Sequence, residues 1–257
     1  MCQVLVGILR RECVKKGSDC MKKWIKYLVA SLVILLLLLS LGLSQLTYSP
    51  TETAEEVAQT AKVEDNVRIF EAEDPLGPAI VFYQGAFVEA AAYAPLARQL
   101  ATAGFDVYLL DSPFNLPILA EQSGLKVVED YQLNQVIFMG HSLGGVIAAR
   151  NAAAMQAFDQ VAGLVLLASY PDQSTELVGA KFPILSITAS MDEVLNQAAF
   201  AEAIDQLPET TLYKEIKGGN HSGFGDYGPQ AQDGPASLTA SEQKTQVVRL
   251  LIEAFRP

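Results

Sequence analysis

From Asn66 onward, apolar runs of strand length alternate with stretches of helical spacing. "VRIFEA", "AIVFYQ", "DVYLLD", "QVIFMG", "AGLVLLAS", "FPILSITA" and "TLYKEIKG" read as strands. Between them, "VEAAAYAPLARQLATAG" reads as a helix with Gly104 just past its end. "PILAEQSGL" and "KVVEDY" read as helical with a break at Gly124, followed by "LGGVIAARNAAAM", "NQAAFAEAIDQL" and the closing amphipathic "SEQKTQVVRLLIEAF". Most of the strand runs lack polar alternation, so both their faces are buried. Such strands separated by helices predict an α/β fold: a mostly parallel sheet with helices on both faces. Sites in such sheets lie at the carboxyl ends of strands, which directs attention to loops starting at Gln84, Asp111, Gly140, Ser169, Ser190 and Gly218.

The N-terminal part follows a different pattern. Tyr27 to Tyr48 is uncharged and close to the length of a bilayer-spanning helix. Residues 1–26 carry seven Lys/Arg against two Asp/Glu, with Lys22, Lys23 and Lys26 next to the apolar run. By the positive-inside rule, 1–26 is a cytoplasmic basic segment, 27–48 a transmembrane anchor, and the remainder extracytoplasmic. The alternative is a signal cleaved near Ser44, giving a secreted protein. "MKKWIKYLVASLVILL" is a complete leader by itself, which offers Met21 as a second candidate start. Residues 49–65 are polar and acidic and read as a stalk, with a short helix within "ETAEEVAQTAKV", before a domain at 66–257.

Charge and cysteine content narrow the chemistry. Beyond residue 26 the chain carries eleven Lys/Arg and twenty-seven Asp/Glu, which excludes nucleic acid as a partner because nothing neutralises phosphates. Cys2, Cys13 and Cys20 all precede the apolar run, so the domain has neither a disulfide framework nor a thiol nucleophile. With two histidines and no cysteine in the domain, no metal-ligand spacing exists, and no metal or cofactor is expected.

The chemistry-bearing stretch is Gly140-His141-Ser142-Leu143-Gly144, a G-x-S-x-G pattern between the strand "QVIFM" and the helix "GGVIAARNAAA". That context makes Ser142 a nucleophile candidate on a sharp strand-to-helix turn, where side chains at positions 140 and 144 would strike neighbouring backbone. Serine needs a base. His141 projects away from its neighbour, leaving His221 in "KGGNHSGFGDYG". The acid is expected between the two in chain order, which selects Asp192 in "ITASMDEV"; Glu193 is its alternative, and Asp111 ranks third because it precedes the serine. Asp192 also reads as a helix N-cap. An oxyanion hole would use the amide of Leu143 and one from "QGAF", with Ala86 preferred and Gly85 allowing close approach. Phe87, Phe114, Tyr170 and Phe224 are candidate lining residues, with Leu116 beside Phe114 on the wall "DSPFNLPILAEQSG".

"VFYQGAFVEAAAYAPLARQLATAGFDVYLLD", "GHSLGGVIAAR", "GLVLLASYP", "ILSITASMDEV" and "GGNHSGFGDYGPQ", in that order, resemble the alpha/beta-hydrolase superfamily. More narrowly, they resemble its small, cap-poor alpha/beta hydrolase family five, related to dienelactone hydrolases. The resemblance covers about residues 66–257. It implies the alpha/beta-hydrolase fold and the triad Ser142, Asp192 and His221. "YQGAF" departs from it by carrying less glycine than expected after the strand. Only a short connection separates "LLASY" from the next strand, so no sizeable lid fits there, and an open site favours small esters.

The expected function is a membrane-anchored serine hydrolase acting on a small-molecule acyl substrate, with an ester as the first choice. Amide, thioester and lactone bonds remain open because the machinery is shared. The reading from a different class is a non-catalytic binding module of the same fold. No oligomeric state is assigned.

Overall fold

The computed structural model describes residues 24–35, 42 and 46–256. Residues 24–35 are helical, and among the described residues no helix is long and apolar enough to cross a membrane. Much of the apolar stretch 27–48 lies outside the described residues, as does most of 1–26. Thr47–Pro257 forms one compact unit.

Eight strands build its sheet: β1 (Lys62–Glu64), β2 (Val67–Phe70), β3 (Ala79–Tyr83), β4 (Val107–Leu110), β5 (Val136–His141), β6 (Val161–Leu167), β7 (Ile184–Ala189) and β8 (Leu212–Ile216). Their spatial order is β1-β2-β4-β3-β5-β6-β7-β8. The two pairings at one edge, β1 with β2 and β2 with β4, are antiparallel; β4 through β8 run parallel. The expected mostly parallel sheet is therefore present, with an antiparallel border.

Successive side chains of a strand alternate between faces, and here both faces are covered. Ile80 and Phe82 of β3 join the core with Leu96 and Leu100 of α2 (Ala94–Thr102) and with Val247 and Leu251 of α6 (Ala240–Phe255). Val81 and Tyr83 join the opposite core with Val127 of α3 (Ser123–Asp130) and Ile147 and Ala148 of α4 (Leu143–Met155). A further helix, α5 (Gln197–Ala203), precedes β8.

Two local expectations differ from the structure. The segment read as a stalk is folded: α1 (Glu52–Ala58) is N-capped by Thr51, buries Ala54 and Ala58, and packs against α2. The following strand β1 pairs with β2. Two alanines at i, i+4 among glutamates make an apolar stripe too narrow to stand out in the sequence, yet it suffices where small residues let helices approach. The second difference is one of position: the break falls at Glu121 and Gln122, between a 3-10 turn (Pro117–Ala120) and α3, so Gly124 lies in the first turn of α3. Gly124 donates its N–H to the Tyr83 hydroxyl at 2.7 Å, and a side chain there would crowd that oxygen.

Candidate active site

β5 delivers Ser142 to the carboxyl edge of the sheet, and α4 begins on the next residue. Ser142 has φ 52° and ψ −124°, a left-handed conformation that costs a non-glycine residue about 1–3 kcal/mol. The surroundings hold it there. Its N–H donates to the Leu167 carbonyl at 2.9 Å, and its carbonyl accepts from Gly145 N–H at 2.9 Å and Ser169 Oγ at 2.7 Å. Ser169, which the sequence placed only at a loop start, is thus part of the turn's support. A Cβ at Gly140 would overlap the Gly144 carbonyl, and one at Gly144 would overlap the carbonyls of Tyr83 and Gln84. Both glycines are where the turn geometry demands them.

His221 lies on the loop after β8 and is almost fully buried. Its Nδ1 is 2.9 Å from Asp192 Oδ2, and the Asp192 side chain is wholly enclosed. Asp192 follows β7, and its other oxygen accepts from the amides of Val194 and Leu195 at 2.9 and 2.8 Å. The carboxylate therefore caps its own turn and binds the ring at once. The helix beyond has Asn196 as N-cap. The alternatives fall away: Glu193 is exposed, and Asp111 is ion-paired with Arg68 at 3.0 Å.

His141 is buried and makes a different set of contacts. Gly85 N–H donates to the Tyr93 hydroxyl at 3.0 Å, leaving the phenol proton for His141 Nδ1 at 2.8 Å. The His141 and His221 rings pack against each other, tilted by 48° with centroids 4.4 Å apart. Burial, and next the neighbouring His221, hold the His141 pKa well below 6.5; the His221 backbone offsets this in part. The unfolded chain thus takes up a proton as pH falls through 6.5 that the folded protein refuses, so stability drops on the acid side. Denaturant unfolding is expected to lose up to about 1.4 kcal/mol per pH unit below pH 6.5 from this ring. The slope should lessen in His141→Gln, and an identical slope in that variant would remove His141 as its source.

In the loop after β3, Gly85 N–H is committed to Tyr93, and Phe87 N–H donates to the Asn115 carbonyl at 2.7 Å. Among the described residues the Ala86 and Leu143 amides have no hydrogen-bond partner. Of the loop's Gly85–Phe87 amides, Ala86 is the one left to serve a ligand.

A cleft of about 230 Å³ is lined by Ser142, Leu143, His221, Tyr170, Val146 and Leu195, among others. A larger groove of about 510 Å³ contains neither Ser142 nor His221, so the smaller one is where these two side chains meet. Tyr170 is the one expected lining residue among its walls. Phe224 is fully buried against the His141 ring at 5.4 Å, because the turn after His221 directs it into the core. Phe114, at φ 54°, is 69 % exposed, and Phe87 at φ 58° lies outside the cleft walls, as does Leu116. Among the described residues no cluster of His, Cys, Asp and Glu could hold a metal ion.

Solved structures share this architecture at low identity. An esterase from a marine microorganism has 13% identity and a TM-score of 0.54, the match covering 74% of this chain and 100% of the esterase. A monoacylglycerol lipase from Paleococcus ferrophilus has 16% identity and a TM-score of 0.55, covering 74% and 100%. A protein from Thermoplasma acidophilum described as a predicted CIB-like hydrolase has 16% identity and a TM-score of 0.56, covering 76% and 96%. No curated protein matches the sequence. The sequence model of the alpha/beta hydrolase family matches residues 79–245, more than half of the chain, and the chain belongs to that family.

Proposed function

We propose that this protein is a serine hydrolase that cleaves carboxylic esters, or closely related acyl bonds, through an acyl-enzyme. One observation carries the reading: a serine held in a strained strand-to-helix turn shares a cleft with an imidazole whose Nδ1 binds an enclosed carboxylate. With Nδ1–H fixed on Asp192, the free His221 Nε2 accepts the Ser142 proton as Oγ attacks the carbonyl carbon. The oxyanion faces the amides of Leu143 and Ala86, at the N-terminus of α4, where the dipole favours negative charge. His221 then gives its proton to the departing alkoxide, releasing the alcohol. A water, deprotonated by the same nitrogen, attacks the acyl carbon; the acid departs and the serine recovers its proton.

The size and walls of the cleft favour small, uncharged acyl groups: Val146 and Leu195 are apolar, and no carboxylate or lysine lines it. Two proteins sharing the fold are named an esterase and a monoacylglycerol lipase, which accords with ester substrates. A panel of p-nitrophenyl esters of rising chain length, with thioester and amide counterparts, tests the assignment. Turnover should be highest for short esters; activity confined to long-chain lipids would refute the substrate class. Absence both of turnover and of fluorophosphonate labelling would favour a binding module.

We further propose that the apolar stretch 27–48 tethers the domain to a membrane, with residues 1–26 on the cytoplasmic side. The support is its uncharged length and the flanking lysines. The full chain should remain in carbonate-washed membranes; complete recovery in the soluble fraction would overturn the tether.

A further inference from the structure

The carboxylate of Asp233 is spent entirely on backbone. Oδ1 accepts from His221 N–H at 3.2 Å and Gly234 N–H at 2.9 Å, and Oδ2 accepts from Ser222 N–H at 2.8 Å. Among the described residues no other group accepts from the two amides at positions 221 and 222. His221 stands at the entrance of a short 3-10 turn, Ser222–Phe224, so the path of its backbone sets where the imidazole swings. The next residue reaches the acid's turn. Gly234 accepts from Asn220 Nδ2 at 2.8 Å and lies so close to the Met191 carbonyl that a Cβ would overlap it. Asp233 and Gly234 therefore touch the chain on both sides of the His221–Asp192 pair.

The loop carrying Asp233 is itself pinned along its length. Asp226 donates its N–H to the Ala92 carbonyl at 2.8 Å, and its carboxylate is 2.5 Å from Nζ of the buried Lys244 in α6. Ala231 N–H donates to the Tyr48 hydroxyl at 3.1 Å. Ser237 and Leu238 both donate to the Gly218 carbonyl. A carboxylate held this way and accepting from backbone N–H groups makes charge-assisted bonds, stronger than neutral ones.

We propose that Asp233 is a positioning residue for the base: it fixes the His221 backbone so that the ring meets Asp192 on one side and Ser142 on the other. It touches no substrate. The inference rests on the hydrolase reading above. A misplacement of about 1 Å at a proton-transfer site can cost about 100-fold in rate.

The test is Asp233→Asn in the full chain, a substitution of nearly the same shape whose Nδ2 confronts one of the two amides, with Asp233→Ala alongside. For D233N, kcat should fall about 10- to 100-fold with KM within about threefold of wild type. The far-downfield proton resonance of the His221–Asp192 hydrogen bond should broaden or shift, which a loss of stability elsewhere in the fold would not produce. Should D233A fail to fold, D233N decides. Wild-type kcat in folded D233N overturns the proposal, and so does a loss confined to KM or to melting temperature. If the wild type neither turns over esters nor labels with a fluorophosphonate, the hydrolase reading fails instead. The proton resonance then still decides whether Asp233 holds the ring, and an unchanged resonance rejects it.

Discussion

Ser142→Ala is expected to abolish ester turnover, lowering kcat by about a millionfold, and to abolish fluorophosphonate labelling while leaving the fold intact. The rate loss follows from the chemistry: without Oγ there is no acyl-enzyme, and the other serine of the cleft, Ser169, has its hydroxyl committed to the carbonyl of residue 142. The intact fold follows from the bonding. Every hydrogen bond that Ser142 makes to the described residues uses its N–H or its carbonyl, to Leu167, Gly145 and Ser169, and alanine retains all of them. Unfolding stability should therefore stay within about 1 kcal/mol of wild type, as is usual for substitutions that leave packing and backbone bonds unchanged. Initial rates, labelling and a denaturant curve on the same preparation provide the check. Residual labelling in the variant would move the nucleophile elsewhere.

Asp192→Asn should lower kcat by about 10⁴-fold. The reason lies in how the carboxylate is held. One oxygen accepts from the Val194 and Leu195 amides, and only an oxygen can stand there. An asparagine must therefore turn its carbonyl oxygen to those amides and its NH₂ to His221 Nδ1. Facing a donor, Nδ1 becomes an acceptor and the ring proton moves to Nε2, the nitrogen that must receive the serine proton. The side chain is enclosed, so water cannot rescue the tautomer. Geometry is preserved and the base is disabled. Activity above about a tenth of wild type would reject Asp192 as the orienting acid and reopen Glu193 or Asp111.

Much of the domain was legible because its signals are local. A strand buried on both faces has to be apolar throughout, so the runs ending at Tyr83, Gly140 and Ala189 declared themselves. The glycines at 140 and 144 are a sequence trace of a close backbone approach. What escaped notice depends on partners distant in the chain. Ala54 and Ala58 are unremarkable until α2 covers them. Phe224 lay beside the candidate base and so read as a wall, whereas the 3-10 turn carries it inward to His141. The helix break read at Gly124 falls two residues earlier, and the glycine itself admits the Tyr83 hydroxyl. Asp233 carried no motif at all, since its partners are backbone amides with no residue identity to read.

The amino-acid sequence by itself determined the alternation of strand and helix, the turn that presents Ser142, and, with only two histidines available, the position of the imidazole. Only the tertiary structure decided which loop amides stay free, why His141 is a buried neutral ring, which side chains wall the cleft, and what steadies His221. Periodicity and glycine spacing act over a few residues and are written along the chain. Hydrogen bonds such as His221 to Asp192 or to Asp233 join positions 29 and 12 residues apart, and they exist only where packing has brought those groups together.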